Sequence, residues 1–191
     1  TALSIGLSLA VIPIFLLWTT ATGLHLNQTS IYLWMVGLLI FKAWQSRERL
    51  SSLIKQAWKP SLHWDGTSWT FLLIFFFSLG IRLAMTRDLA APAWVDSVHH
   101  ATIIRLILEQ GAYPNTYQPL IPAVMASYHS GYHAIMAVFI WLSGLEIEQA
   151  MLIFGQVLNA LSVVLAYLFA FTLTGNRKAA VLAALICGVF T

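Results

Sequence analysis

Read for its apolar and polar positions, the chain is a series of long apolar runs separated by short polar stretches. The runs are Thr1 to Thr20, Ser30 to Ala43, Ser68 to Met85, Tyr128 to Leu145, Ala150 to Thr174 and Ala179 to Thr191. A helix needs about 20 mostly apolar residues to cross a hydrocarbon layer about 30 Å thick, inside which every backbone polar group must be paired. The pattern therefore predicts an all-α fold, a polytopic transmembrane helix bundle of about six spans, with the first and last runs cut by the chain ends. The chain starts without Met and stops inside an apolar run, which reads as a piece of a longer protein. No basic segment or small-residue cleavage site marks the first run as a signal peptide.

Composition agrees. At 59% hydrophobic and 9% charged residues, the chain departs from the soluble norm of about half apolar and about a quarter charged. The one cysteine, Cys187, excludes an intrachain disulfide and a cysteine zinc site. No basic stripe with interleaved aromatics is present, so nucleic acid is not an expected partner. The lipid bilayer is.

Charge placement orients the spans. Lys42, Arg47, Arg49, Lys55 and Lys59 cluster around the 46–66 segment, which the positive-inside rule assigns to the cytoplasm. Within it, Leu50, Leu53, Ile54, Ala57 and Trp58 recur at helical spacing, predicting an amphipathic surface helix. The third span then leads outward, and 87–127 becomes a structured extracytoplasmic loop with four of the six prolines. The chain thus divides into 1–66, two spans plus the basic loop, and 67–191, a transmembrane core with the outer loop. Arg177 and Lys178 oppose this orientation, because six successive crossings place them outside.

The outer loop holds the candidate chemistry. Asp96 to Gln110 reads as a short helix with Asp96 as N-cap and Gly111 as stop. At 100° per residue, Asp96, His99 and His100 fall within about 60° of one direction together with Ile103 and Ile107. Thr102, Arg105 and Glu109 form the opposite, polar stripe. His129 and His133, in YHSGYH, are four apart at the entry to the fourth span, a spacing that puts both rings on one helix face. Asp96, His100, His129 and His133 are therefore candidate ligands of a divalent metal ion. The same imidazoles can instead bind phosphate or hydroxyl groups, and Tyr117, in a Pro-rich and Tyr-rich stretch, can stack on a sugar. Structural readings compete: Asp96 as a cap only, the histidines as interfacial hydrogen-bonders, Arg82 snorkelling from the third span, and Gln156 and Asn159 joining helices.

These elements resemble the GT-C class of polytopic membrane glycosyltransferases, of the kind grouped in glycosyltransferase family 39. The resemblance rests on AWVDSVHH, QGAYP, YHSGYHAIMAVFIWLSGL and LTGNRKAAVLAAL, and covers about Ser68 to Thr191. It implies transfer of a hexose or pentose from a polyprenyl-phosphate carrier to an acceptor at the extracytoplasmic face of a prokaryotic plasma membrane. By the same resemblance Asp96 is the catalytic base or an acceptor or metal ligand, and His99, His100, Tyr117, His129 and His133 bind substrate. Ser97 follows Asp96 where the protein-mannosylating branch has an acidic pair. Two further readings are a metal-binding transporter or sensor using Asp96 and the histidines, and a non-catalytic membrane scaffold.

Overall fold

The computed structural model describes residues 2–46, 65–93, 95–125 and 128–190. The predicted amphipathic helix around Leu50 to Trp58 lies outside the described residues. Those described form seven helices and no strand, so the fold is all-helical: α1 (Ala2–Ala21), α2 (Gln28–Gln45), α3 (Gly66–Thr86), α4 (Val95–Gln110), α5 (Gly131–Ser143), α6 (Ile147–Thr174) and α7 (Arg177–Phe190).

The helix ends follow local chemistry. Asn27 accepts from the Ser30 amide while the Ser30 hydroxyl accepts from the Asn27 amide, a reciprocal cap on α2. Asp65 caps α3 one-sidedly, its carboxylate accepting from both the amide and the hydroxyl of Ser68. Gly111, Gly144 and Gly175 stand just past the ends of α4, α5 and α6 with positive φ, the conformation in which a Cβ is penalised.

Two helices, α3 and α6, are long and apolar enough to cross a membrane, while Gly6–Ala21 and Gly131–Ser143 are shorter apolar helices. The 13 residues of α5 extend about 20 Å at 1.5 Å per residue, less than a hydrocarbon layer of about 30 Å. Packing adds a second difference from six successive crossings. Phe71 meets Tyr167 with ring centroids 4.5 Å apart, and Arg177 pairs with Asp65 at 3.2 Å. The start of α3 therefore lies beside the end of α6, and the two helices run antiparallel. Helix α7 returns alongside α3, with Ser78 Oγ donating to the Gly188 carbonyl. The chain leaves α3 and enters α6 at the same end, so α4 and α5 together make an excursion that begins and finishes there. An apolar run of span-like composition has become part of that excursion, because α5 buries its faces against protein on both sides.

Two cores hold the excursion. Leu16 of α1, Leu26 of the connection after it and Ile31 of α2 pack on Ile103 and Ile107 of α4 and on Ala134, Ala137, Val138 and Trp141 of α5. On the other side of α4, Ile104 packs with Met136 and Ile140 of α5 and with Ile147, Ala150 and Met151 of α6. At the end of α4 the Leu26 amide donates to the Gly111 carbonyl at 2.6 Å, and His25 Nδ1 lies 2.6 Å from the Gln110 carbonyl.

Gly111 thus serves two purposes, since a Cβ there would collide with the backbone carbonyl of Leu26 as well as sit at φ 65°. Gly111→Ala is expected to cost about 2–5 kcal/mol, combining the left-handed penalty with forced overpacking. Denaturant unfolding in micelles checks this; an unchanged midpoint would mean that the two backbones do not meet.

Candidate functional site

The site grows from the first two turns of α4. Its inward stripe is as expected for most of its length: Ile103, Ile104, Leu106 and Ile107 are fully buried, whereas Arg105 and Glu109 are exposed. Arg105 and Glu109 do not come within ion-pair distance of each other. His99 and His100 lie on the buried stripe, half-buried where it emerges from the core.

Four partners meet them. His99 Nε2 is 2.7 Å from the Tyr117 hydroxyl, and His100 Nδ1 is 2.9 Å from His133 Nε2. Tyr117 is placed by a narrow turn in which its amide donates to the Ala123 carbonyl, with Thr116 bridged to Val124. His133, in the first turn of α5, is fully buried, and its Nδ1 has no hydrogen-bond partner among the described residues. Tyr128 sits among the imidazoles, its ring 4.9 Å from His99, 4.5 Å from His129 and 5.7 Å from His133. Tyr132 closes the other side, edge-on to His100 at 5.7 Å. Tyr128 and Tyr132 join the expected site residues, and YHSGYH, which repeats a Tyr-His pair at four-residue spacing, carries the signal for both.

Three expectations are corrected. Asp96 is the second residue of α4 and not its N-cap, and it is exposed together with Val95 and Val98, because the first turn projects beyond the packed part of the helix. An acid in that turn is favoured by the helix dipole. His129 precedes α5, which starts at Gly131, so it does not share a helix face with His133; it is exposed and stacked on Tyr128. The metal set also fails to assemble: among the described residues no three His, Cys, Asp or Glu side chains are placed to hold an ion. The 2.9 Å contact of His100 and His133 is a hydrogen bond, whereas two nitrogens on one tetrahedral zinc stand about 3.3 Å apart and both face the metal.

Chemically, the facing nitrogens of His100 and His133 hold one proton between them, because one must donate and the other accept. Burial pushes His100 below its ordinary value of 6.5, the positive field of a protonated His99 adds to this, and Asp96 partly opposes it. Tyr113, buried without a partner for its hydroxyl, is pushed up to about 12 and stays a phenol. His100 and His133 line a cavity of about 360 Å³, with Pro92, Ser97, His129, Tyr132 and Met151 completing its wall. Ser97, on this wall, is the neighbour of Asp96.

Elsewhere, Arg82 does not snorkel. It is 8% exposed, and its Nε donates to Ser78 Oγ at 3.1 Å. Cys187 packs with its sulfur 3.4 Å from Ser162 Oγ.

Fold and site together define an all-helical chain with two membrane-length helices and an imidazole and phenol cluster at the end where one finishes and the other starts. Comparison with protein-family models, with curated proteins and with solved structures gives no match.

The depressed His100 has a stability consequence. The unfolded chain binds more protons than the folded one between the lowered value and 6.5, so stability is complete above that window and is lost as pH falls through it. Unfolding midpoints in micelles at about pH 7.5 and about pH 5.5 are expected to fall on acidification, with a shallower fall in His100→Gln. Equal slopes for the two proteins would remove His100 as the cause.

Proposed function

We propose that the chain is the membrane-embedded part of a glycosyltransferase of the GT-C type. It takes a sugar from a polyprenyl-phosphate carrier and passes it to an acceptor hydroxyl at the extracytoplasmic face. The observation that supports this reading is the placement of the histidine and tyrosine cavity, with Asp96 at its edge, at the common end of α3 and α6. A cavity of about 360 Å³ falls within the range of small-ligand sites, about 300–1,000 Å³. Imidazoles and phenols that donate and accept hydrogen bonds without a net charge suit sugar hydroxyls.

In this reading Asp96 takes the proton of the acceptor hydroxyl as its oxygen forms the new bond to the anomeric carbon. The bond from that carbon to the carrier phosphate breaks, and the carrier phosphate leaves with the electron pair. Exposure of Asp96 leaves it open to the acceptor, and the cavity histidines hold the sugar by hydrogen bonds.

The same reading orients the chain. The 46–66 segment and the Gly175 to Lys178 turn share the cytoplasmic side, and the 87–146 excursion lies outside. The Arg177 to Asp65 pair supports this, and it removes the opposition that six successive crossings create, since both basic clusters then obey the positive-inside rule.

Two experiments test these statements. With Cys187→Ala as background, Ser46→Cys and Asn176→Cys are expected to react with an impermeant thiol reagent from one face of sealed vesicles, and Pro92→Cys from the other. Labelling of Asn176→Cys alongside Pro92→Cys would reject the orientation. In the full-length protein, Asp96→Asn is expected to lower sugar transfer by about 10²–10⁴-fold, as loss of a general base does, with membrane insertion intact. Undiminished transfer would remove Asp96 from the reaction.

A further inference from the structure

Of the two imidazoles on α4, His100 lines the cavity. Its Nδ1 lies 2.9 Å from Nε2 of His133, and among the described residues its own Nε2 has no hydrogen-bond partner. His133 is fully buried, packed on all sides, while His100 is half-buried where the core opens into the cavity. With the His100 proton on Nδ1, that nitrogen donates to His133 and the Nε2 lone pair stays open. An imidazole held through one nitrogen in this way is aimed at a proton through the other.

The groups around His100 suit that use. Asp96 stands one turn earlier on α4, at the spacing that puts both residues on one helix face. Burial and the field of His99 push His100 down, which leaves the ring unprotonated at neutral pH, whereas the Asp96 charge acts to stabilise the imidazolium. Tyr128 and His129 approach from the segment before α5, and Tyr132 and His133 from its first turn. From α6 the cavity takes the apolar Met151, and Glu148 lines an adjoining cavity that shares Ser97 with this one. Burial pushes His133 down to about 4. His133 is therefore a neutral acceptor for the His100 Nδ1–H whether the His100 ring carries one proton or two. A proton can enter and leave at Nε2 without disturbing the contact that aims the ring.

We propose that His100 is a proton relay for Asp96: the proton that the carboxylate takes from the acceptor hydroxyl passes, directly or through one water, to His100 Nε2. The Asp96 O–H bond breaks, an N–H bond forms on the ring, and the carboxylate returns to its starting form facing an imidazolium. An imidazole is ordinarily the stronger base of the two, and the restored carboxylate favours the product. The ring then releases the proton to water on the side of the cavity where His129 is exposed. The inference rests on the transferase reading for the source of the proton, but the pairing of Asp96 with His100 does not.

Two measurements separate these parts. The full-length protein is reacted with diethyl pyrocarbonate over about pH 5–8, and modification of His100 is followed by tandem mass spectrometry, so that the pH midpoint of its rate reports the free nitrogen. Asp96→Asn is expected to lower that midpoint by about 0.5–1 unit, as loss of a nearby opposite charge does. Glu109→Gln, on the opposite stripe of α4, is expected to leave it in place. An unmoved midpoint in Asp96→Asn overturns the relay whatever reaction the protein catalyses. In sugar transfer, His100→Gln is expected to lower kcat about tenfold, below the effect of losing the base itself, with KM little changed. It is also expected to lose the acidic limb of the kcat profile that coincides with the His100 midpoint, and to regain rate when free imidazole is added. A full rate in His100→Gln overturns the relay, and so does a lowered rate with an unchanged pH profile and no response to imidazole. Either result leaves the transferase reading to Asp96→Asn. If His100→Gln does not insert, the midpoint in Asp96→Asn decides alone. Absence of transfer by the unsubstituted full-length protein rejects the transferase reading, and with it the source of the proton.

Discussion

The burial of α4 is the constraint on which the rest depends. Ile103, Ile104, Leu106 and Ile107 are all fully buried, and they face two ways, towards the N-terminal helices and towards the start of α6. Each such side chain contributes about 1.5–3 kcal/mol relative to exposure, as an upper estimate that takes an extended chain as reference. The helix is short and amphipathic, so it is marginal by itself and gains its stability from this packing. Held on both flanks, α4 presents His99 and His100 at the rim of the core in one orientation only, where Tyr117 and His133 meet them.

That arrangement joins His100 to His133 through one nitrogen of each ring, at 2.9 Å. His133, fully buried, is tied to this contact through Nε2, and its Nδ1 has no hydrogen-bond partner among the described residues.

Antiparallel packing of α3 and α6 gives the molecule a consistent electrostatic plan. It brings Arg177 to Asp65 and gathers α4 and α5 at the opposite end. The exposed pair itself contributes little, since solvent screens surface ion pairs, so it reports the arrangement and does not cause it. The cause is apolar contact along the helices, seen where Phe71 meets Tyr167.

Much of this was written into the sequence. Apolar runs, caps and the glycine stops at 111, 144 and 175 are local features, set within a few residues by backbone conformation and hydrogen bonding, and the helix boundaries follow them closely. The inward stripe of α4 was equally legible, because helical periodicity alone separates Ile103 and Ile107 from Arg105 and Glu109. What the tertiary structure decided is where those elements lie against one another. Composition cannot distinguish a short helix buried by protein on both sides, as α5 is, from one buried by lipid. Spacing cannot reveal that His129 stands before its helix, or that Asp96 sits on a turn projecting past the core. The approach of Gly111 to Leu26, and of His100 to His133, joins residues far apart in the chain, and only packing sets such distances.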